Sequence, residues 1–353
     1  MRALIDLVIG GTDEEREEYE FGWISGTYLT AAGLIYVTDG QFNTLRVFDQ
    51  AGKLLHNVGR KGAGPGDLNM PCCLNVDRAG MLWVVDNGNK RYSVYSIAGT
   101  KPEFVKNVPI PYPNAYHRVN WTRAGELIFV THTNARLGGS DLLRSYLDVT
   151  GRPVRADTVI RSHHDSVPTA TLSRTTTGAD GGVQTNSIVF GQPYGPAELR
   201  AFGPGGQLAT AVSSRYAITW TDEMGRSVLI RRNLVGPLVT SQQRSATEKF
   251  LEAHAALMGK TRADIPFGVP ARAAPLQTIE FDLDGRLWIQ RTVPDSTPNI
   301  ADVFERGGKH VMTVEWPAEV ELRYFTVRGN VLIGTRTDSL GSTQLVRMRL
   351  GRR

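Results

Sequence analysis

The chain repeats part of its own sequence at a fixed distance, and this repeat constrains the fold more than any other feature. Residues 33–52, GLIYVTDGQFNTLRVFDQAG, return 47 positions later as GMLWVVDNGNKRYSVYSIAG at residues 80–99. The repeat keeps an aspartate at the end of a β-type run, Asp39 in the first copy and Asp86 in the second. A period of roughly 40–50 residues built from short β-type runs is typical of a propeller or a similar array.

A turn that ends in glycine, followed by a β-rich run, marks each repeat unit. The glycines of these turns are Gly33, Gly80, Gly125, Gly206, Gly285 and Gly329. Four alternating strands can be traced in the first unit, and four is the number of strands in a propeller blade. The sequence therefore predicts an all-β, six-bladed β-propeller with four-stranded antiparallel blades. We expect it to form a single domain over residues 1–353.

Two intervals between the marker glycines are longer than the others, and their composition indicates insertions. Residues 161–187 are rich in Ser, Thr and Gly, which predicts an exposed loop. The second insertion covers about 239–265 and includes a predicted helix at 245–259, because Ser245 and Glu248 form a capping-box pattern. Its predicted apolar stripe consists of Phe250, Leu251, Leu257 and Met258. We expect this helix to pack on one rim, with partner binding as the alternative.

The two ends of the chain predict how the ring closes. The last unit has strands near 321–327, 330–336 and 343–350, and then the chain ends. A lone strand at residues 3–9 precedes the first unit. Pairing this strand with the last unit would remove two exposed sheet edges. We therefore expect the N-terminal strand to complete the last blade and close the ring.

Charge and composition narrow the classes of partner. The formal net charge is +5 over 353 residues, and the basic residues are spread along the chain, so nucleic acid is not an expected partner. The chain has no apolar run of the length that spans a membrane, about 18–20 residues, so no transmembrane segment is expected.

The adjacent Cys72 and Cys73 leave two alternatives open, two thiols on opposite strand faces or a vicinal disulfide. We expect a soluble monomer.

The glycine-rich run GRKGAGPGDLNMP at residues 59–71, followed by CLNVDRAGMLWVVDNGNKRYSVY at 73–95, resembles the six-bladed β-propeller proteins with NHL-type repeats. The first two repeats match this pattern closely, and the resemblance extends more weakly over all six units. The later units depart from it, since Thr131, Arg291 and Thr335 replace the repeated aspartate. The resemblance implies the fold and leaves the function open, because the superfamily includes scaffolds, sensor domains, RNA-binding modules and metal-dependent lyases or hydrolases.

The resemblance also implies where in the cell the protein is found. Many bacterial relatives of this type are exported, which implies a periplasmic or extracellular bacterial protein. The start of the chain, MRALIDLVIGG, is too short and too soon acidic for a signal peptide. The expectation is therefore that the start was assigned downstream of a signal sequence.

Three motifs have a structural interpretation that outweighs a functional one. Residues 59–66 lack the G-K-[ST] ending of a phosphate loop and lead into a strand, which indicates a turn-rich connection. Residues 86–89 resemble a calcium loop, but their recurrence one unit away at Asp39 favours capping of a loop backbone in each unit. Residues 163–165, His-His-Asp, lie in the Ser/Thr-rich insertion, where such clusters are usually solvated.

Aligning the units on their marker glycines places one side chain from each unit at the start of its innermost strand. These six residues, mostly polar, are Ser25, Cys72, His117, Glu198, Gln277 and Glu321. A polar ring at a channel mouth is a candidate ligand site, because ligands bind in concave places with a few convergent polar groups. Within this ring, His117, Glu198 and Glu321 could ligate calcium or zinc, or form an acid–base pair. The default expectation is that no cofactor binds.

Two functional hypotheses follow. The leading one is a non-catalytic binding or scaffold propeller that engages a protein, peptide or glycan through its rim loops or channel mouth, because the sequence has no nucleophile motif such as G-x-S-x-G. The alternative is a metal-dependent hydrolase or lyase with its site at the central channel mouth. RNA binding is a weaker third hypothesis, because it needs a basic surface that the scattered Lys and Arg do not form.

Overall fold

The computed structural model describes residues 1–11, 17–110, 120–121, 127–132, 142–148, 150, 152–160, 167–177 and 182–351. Within these residues the chain forms 26 β-strands and one α-helix, with short 3₁₀ helices at Glu17–Tyr19 and Arg262–Asp264. The strands form four separate four-stranded antiparallel sheets, one eight-stranded sheet and one separate two-stranded hairpin. The N-terminal strand is β1 (Arg2–Ile9).

Units 1 to 4 are separate sheets. Unit 1 consists of β2 (Ile24–Leu29), β3 (Ile35–Asp39), β4 (Thr44–Phe48) and β5 (Leu54–Val58), and unit 2 consists of β6 (Pro71–Val76), β7 (Met81–Asp86), β8 (Arg91–Ser96) and β9 (Glu103–Pro109). Unit 3 consists of β10 (Asn120–Trp121), β11 (Leu127–His132), β12 (Leu142–Leu147) and β13 (Pro153–Ile160). After a hairpin of β14 (Thr169–Thr177) and β15 (Val183–Gly191), unit 4 consists of β16 (Glu198–Gly203), β17 (Gln207–Val212), β18 (Ala217–Thr221) and β19 (Ser227–Arg231).

Units 5 and 6 share one sheet, in which β1 lies between them. Unit 5 consists of β20 (Leu276–Phe281), β21 (Leu287–Arg291), β22 (Asn299–Glu305) and β23 (Lys309–Trp316). Unit 6 contains β24 (Glu321–Arg328), β25 (Val331–Thr337) and β26 (Thr343–Gly351). Strand β1 runs antiparallel to β26, from the pair Arg2–Gly351 to the pair Ile9–Leu345, and touches β23 through one parallel pair. Strand β1 therefore lies between β23 and β26 in this sheet, on the side of β26 away from β25.

The first strands of neighbouring units contact one another and surround the central channel. Strand β2 contacts both β6 and β24, and β16 contacts β20. The hydroxyl groups of Thr27 in unit 1 and Thr326 in unit 6 lie 2.7 Å apart, so the first and last units are neighbours. We call the end of the channel where the first strands begin the N-terminal mouth, and the end where they finish the C-terminal mouth.

The turns after the first strands follow from their sequence. In unit 2, Asp77 accepts hydrogen bonds from the backbone of Ala79 and Met81, and Gly80 adopts a positive φ of 80° that favours glycine. The marker glycines of units 1, 2, 4, 5 and 6 all lie between the first and second strands of their units. Gly125 lies outside the described residues. Apolar side chains fill the space between units, as where Leu45 of unit 1 packs in one cluster with Leu82 of unit 2.

The first insertion differs from the predicted exposed loop over 161–187, because β14 and β15 form an antiparallel hairpin there. Threonine and valine favour strands, since their branched side chains pack well on a pleated surface. Cross-strand hydroxyl pairs join Ser173 to Ser187 at 2.8 Å and Thr175 to Thr185 at 3.0 Å. The polar composition correctly indicated an exposed segment, but it did not indicate the two strands.

The second insertion contains the predicted helix, with a different start. Helix α1 (Ser241–Leu257) begins four residues before the predicted 245, and its capping box is formed by Thr240 and Gln243. Ser245 therefore lies inside the helix, and Glu248 pairs with Arg262 at 2.6 Å. The predicted stripe is correct in part. Leu251 and Met258 are buried, whereas Phe250 and Leu257 are 49% and 68% exposed.

The two insertions pack against each other. Their shared cluster is formed by Ala170 and Leu172 of β14, Leu251 and Ala255 of α1, Met258, Ile265 and Phe267. We call the hairpin 169–191 and residues 240–267 the insertion lobe. Helix α1 also contacts unit 5 directly, because the Gln243 side chain donates to Asp295 at 2.7 Å.

Candidate functional site

The predicted polar ring begins with Ser25, which the structure places in a structural role. Ser25 is fully buried in β2, and its hydroxyl lies 2.5 Å from the carbonyl oxygen of Pro71 in unit 2. It also lies 3.2 Å from the carbonyl oxygen of Thr38. These contacts join units 1 and 2. The Ser25 hydroxyl is occupied by backbone acceptors of the protein itself.

The second ring residue, Cys72, forms a vicinal disulfide with Cys73. The structure thus adopts one of the two alternatives left open by the sequence. Cys73 has a positive φ of 58°, at the point where the pairing of β6 with β7 shifts register. Both cysteines are buried, and the side chain of Asn87 donates to the Cys72 sulfur at 3.4 Å. Cys72 therefore presents no free thiol to the channel.

The remaining ring residues lie at the starts of the first strands of their units. Glu198 is the first residue of β16 and forms an ion pair with Arg200 of the same strand. Gln277 is exposed, and its side-chain oxygen accepts a hydrogen bond from Gln290 at 3.0 Å. Glu321 is exposed at the start of β24. The five described ring residues thus all lie at the N-terminal mouth, near the starts of their strands. Their local contacts differ from one residue to the next.

The metal hypothesis involves His117, Glu198 and Glu321. His117 lies outside the described residues, as do residues 163–165. Over the described parts of the chain, no group of three or more His, Cys, Asp and Glu side chains is arranged to hold a metal ion. Calcium or zinc ligation by the three residues stays a prediction.

The repeated aspartates, which resemble calcium ligands, cap the loops at the N-terminal mouth. Asp86 accepts hydrogen bonds from the Asn69 backbone at 2.7 Å, from Asn89 at 2.8 Å and from Arg91 at 2.8 Å. One repeat earlier, Asp39 accepts the equivalent backbone bond from Gly22 at 3.0 Å. Both carboxylates are fully buried. Their oxygens are occupied by protein donors, as a structural role requires.

A cavity lies at the opposite end of the channel, the C-terminal mouth. Its volume is about 630 Å³, and we call it the C-terminal cavity. Residues from all six units line it: Thr27, Tyr28, Leu74, Asn75, Val76, Asp77, Arg78, Trp121, Phe202, Pro204, Gly205, Phe281, Asp282, Leu283, Thr326 and Arg328. None of the five described residues of the predicted ring is among them. The predicted ring and this cavity thus lie at opposite ends of the first strands, and ligand binding at the ring stays a prediction.

The acidic side chains that line the C-terminal cavity accept hydrogen bonds from the turns in which they lie. Asp77 accepts two backbone hydrogen bonds and a third from the Trp83 indole at 2.9 Å. Asp282 accepts from the Trp288 indole at 2.8 Å and from Arg286 at 2.6 Å. Burial raises the pKa of Asp282 above its ordinary value, and this outweighs the opposing effect of Arg286. Both carboxylates are therefore committed to structural partners.

Arg328 is the functional candidate that the sequence did not reveal. Its Nε donates to the carbonyl oxygen of Leu29 at 3.0 Å, and its Nη2 donates to the Tyr28 hydroxyl at 3.2 Å. The guanidinium carbon lies 5.8 Å from the centre of the Tyr28 ring. Arg328 directly precedes the marker glycine of unit 6, so the turn motif itself was its only signal in the sequence.

A second depression adjoins the C-terminal cavity. This rim groove has a volume of about 440 Å³ and lies between units 1 and 2. Small residues from the turns and strand ends of these units line it, including Ala31, Ala79 and Ala98, and it shares Tyr28 and Arg328 with the cavity. These two side chains thus stand at the boundary between the cavity and the groove.

Among the described residues, no helix has the length and apolar character needed to cross a bilayer.

Comparison with known proteins agrees with the architecture. Residues 14–169 match the family described as "6-bladed beta-propeller". A stretch of 71 residues is 38% identical to human "NHL repeat-containing protein 3" and 35% identical to its mouse counterpart. Each match covers 19% of this chain and 20% of the relative, so the chain matches about a fifth of the length of these curated proteins.

One solved structure shows the same fold over nearly the whole length. A protein described as exported, from Bacteroides fragilis NCTC 9343, aligns with a TM-score of 0.54 and 10% identity, covering 99% of this chain and 96% of that protein. A gluconolactonase from Xanthomonas campestris aligns with a TM-score of 0.43 and 12% identity, covering 93% and 87%, a similarity too weak to bear on function. The comparisons confirm the resemblance to six-bladed β-propeller proteins with NHL-type repeats.

Proposed function

We propose that this chain is a non-catalytic binding propeller that holds a protein, peptide or glycan segment at a mouth of its central channel. One observation carries the proposal: the C-terminal cavity, of about 630 Å³, is lined by side chains from all six units. Pockets of roughly 300–1,000 Å³ with mostly apolar walls and a few polar groups are typical ligand sites. The ligand group would enter the end of the channel.

The chemistry of the cavity supports binding rather than catalysis. A general acid or base needs a side chain that is free to exchange a proton with the substrate. Asp77 and Asp282 instead hold turn amides and indole groups. Thr27 and Thr326 bond to each other across the junction of units 1 and 6. The polar groups of the wall thus maintain its shape.

We further propose that β1 closes the propeller ring and thereby preserves this cavity. The wall crosses the junction of units 1 and 6, where Arg328 reaches Tyr28 and Leu29. Strand β1 pairs with β26 along most of its length. Loss of that pairing would expose the edge of unit 6 and loosen the junction that supports the wall.

The proposal is tested by screening the purified protein against a peptide library and a glycan array, and measuring each binder by calorimetry. Pro204→Trp places a large ring in the cavity from an exposed wall position. Met224→Trp is the matched control, because Met224 lies in an exposed turn that does not line the cavity. We expect binders whose affinity is lost in Pro204→Trp and kept in Met224→Trp.

Two results would overturn the proposal. One is the absence of any binder that Pro204→Trp weakens. The other is stoichiometric calcium or zinc in the purified protein that disappears in Glu198→Gln, together with turnover of a lactone or ester. That second result would favour the metal-dependent hydrolase or lyase at the N-terminal mouth.

A further inference from the structure

We propose that the C-terminal cavity takes a ligand with a carboxylate next to an aromatic or apolar body, and that Arg328 anchors the carboxylate. This inference rests on the proposed function, because it assigns a ligand class to the same cavity. The chemistry is shared by a free aromatic carboxylic acid and by the C-terminal residue of a peptide.

Arg328 is held in place before any ligand arrives. Its Nε and Nη2 groups donate to Leu29 and Tyr28, at 3.0 Å and 3.2 Å, and its guanidinium faces the Tyr28 ring. These contacts come from unit 1, across the junction with unit 6. An arginine fixed in this way loses little conformational freedom on binding, which improves affinity.

Arg328 differs from several other arginines of the chain in its charge partners. The arginines Arg91, Arg286 and Arg291 each pair with a buried aspartate. In the part of the chain that the structure describes, Arg328 has no carboxylate at ion-pairing distance, and its Nη1 group donates to no protein acceptor. A guanidinium presents its donors in a planar fork that fits a carboxylate. Arg328 is therefore a positioned cation in a cavity whose two aspartates, Asp77 and Asp282, already have structural partners.

Other parts of the cavity wall consist of aromatic and aliphatic side chains. Phe202, Phe281 and Trp121 contribute aromatic surface from units 4, 5 and 3, and Leu74 adds aliphatic surface from unit 2. Phe281 is itself held by an edge contact with Trp220, at a ring distance of 5.4 Å. Aromatic rings pack well against other rings and against apolar groups. An aromatic or apolar body fits this wall.

Arg328 lies at the boundary of the cavity and the rim groove. A carboxylate bound there leaves its aromatic body in the cavity. The rest of a peptide can then follow the groove, whose small side chains Ala31, Ala79 and Ala98 leave room for a backbone. A free acid would use the cavity alone.

The test measures binding of four probes by calorimetry: N-acetyl-phenylalanine, its amide, the peptide Ala-Ala-Ala-Phe with a free carboxylate, and the same peptide with an amidated end. We expect at least one acid to bind about tenfold more tightly than its amide, the range that loss of a charge-assisted hydrogen bond produces. Binding of only the free acid, or of only the peptide acid, identifies which source the site accepts.

Variants assign the effect to Arg328. Arg328→Gln should reduce the affinity of the acid to that of the amide, and Arg328→Lys should keep part of the preference, because lysine retains the charge and loses the planar fork. Arg2→Gln is the matched control: it removes the same charge from an exposed position on β1. The melting temperature of each variant shows that it is folded.

The proposal is overturned if acid and amide bind equally, if Arg328→Gln and Arg328→Lys both keep the full preference, or if none of the four probes binds. Equal binding of acid and amide that Pro204→Trp abolishes would leave the proposed function intact and reject only the carboxylate anchor. Failure of the library and array screens would reject the proposed function itself.

Discussion

At the scale of single residues, buried aspartate–arginine pairs hold the ends of the strands. In units 1 and 2 the aspartate ends the second strand and the arginine lies on the third, as in Asp86 and Arg91. Unit 5 reverses the arrangement, since Arg291 ends the second strand and Asp302 lies on the third. The substitution of the repeated aspartate by Arg291 thus preserves the ion pair with its charges exchanged.

The ionisation of Asp302 should make the free energy of unfolding depend on pH. Burial opposes its ionisation, but hydrogen bonds from Arg291, Thr313 and Tyr216 outweigh burial and lower its pKa. Because the pKa is lower in the folded state, the stabilisation is complete above the ordinary pKa of about 4 and is lost as the pH falls below it. We expect Asp302→Asn to lower the free energy of unfolding by about 2–4 kcal/mol at pH 7, because it breaks a buried pair.

Urea unfolding of the wild type and Asp302→Asn at pH 7 and near pH 3 measures this difference. The difference should shrink at the lower pH, because the unfolded carboxylate takes up a proton there before the folded one does. Asp284→Asn is the control, since Asp284 is exposed and pairs with Arg286 and the Gly329 backbone. A difference that stays constant with pH would contradict the assigned pKa.

At the scale of elements, the insertion lobe shows what periodicity can and cannot predict. Strand β14 alternates only weakly, because few of its side chains are buried, so its threonines and serines indicated a loop. Helix α1 was predicted from its apolar residues, but two overlapping capping patterns were present, and only the pair Thr240 and Gln243 caps the helix. The buried face was identified correctly at Leu251, where the helix meets the hairpin.

Leu251→Ala should destabilise the insertion lobe. Leu251 is fully buried, and removing a buried leucine side chain costs about 2–5 kcal/mol. Leu257→Ala, in the same helix at a site that is 68% exposed, should change stability by less than about 0.5 kcal/mol. Hydrogen exchange measures both effects in α1 and β14. Equal protection in the two variants would show that the helix does not pack as described.

At the scale of the whole molecule, the repeat predicted the propeller, its four-stranded antiparallel units and the placement of the described marker glycines. The C-terminal cavity was not predicted, because it depends on which ends of the first strands come together and on contacts over long distances in sequence. The bond from Arg328 to the Leu29 carbonyl joins residues 299 positions apart. No local pattern signals such a contact. The predicted ring at Glu198 and Glu321 remains a hypothesis about the other mouth.

Deletion of residues 1–10 tests closure of the ring. Ala3 and Ile9 of β1 are buried, and β1 covers the edge of β26. Losing this strand removes apolar burial worth roughly 3–5 kcal/mol, so the melting temperature should fall by about 5–15 °C. Leu4→Ser, at a site that is 62% exposed, is the control and should melt near the wild type. A truncated protein that melts with the wild type would reject closure by β1.

The most direct test of the binding proposal is fluorine NMR of protein labelled with 5-fluorotryptophan. The chain has six tryptophans. Trp121 lines the C-terminal cavity, Trp23 is 42% exposed beside the start of β2, and Trp316 is buried. Trp121→Phe and Trp23→Phe assign the two reporter signals. A binder from the library should shift the Trp121 signal and leave Trp23 and Trp316 unchanged. A shift of Trp23 with Trp121 unmoved would place binding at the N-terminal mouth and contradict the account.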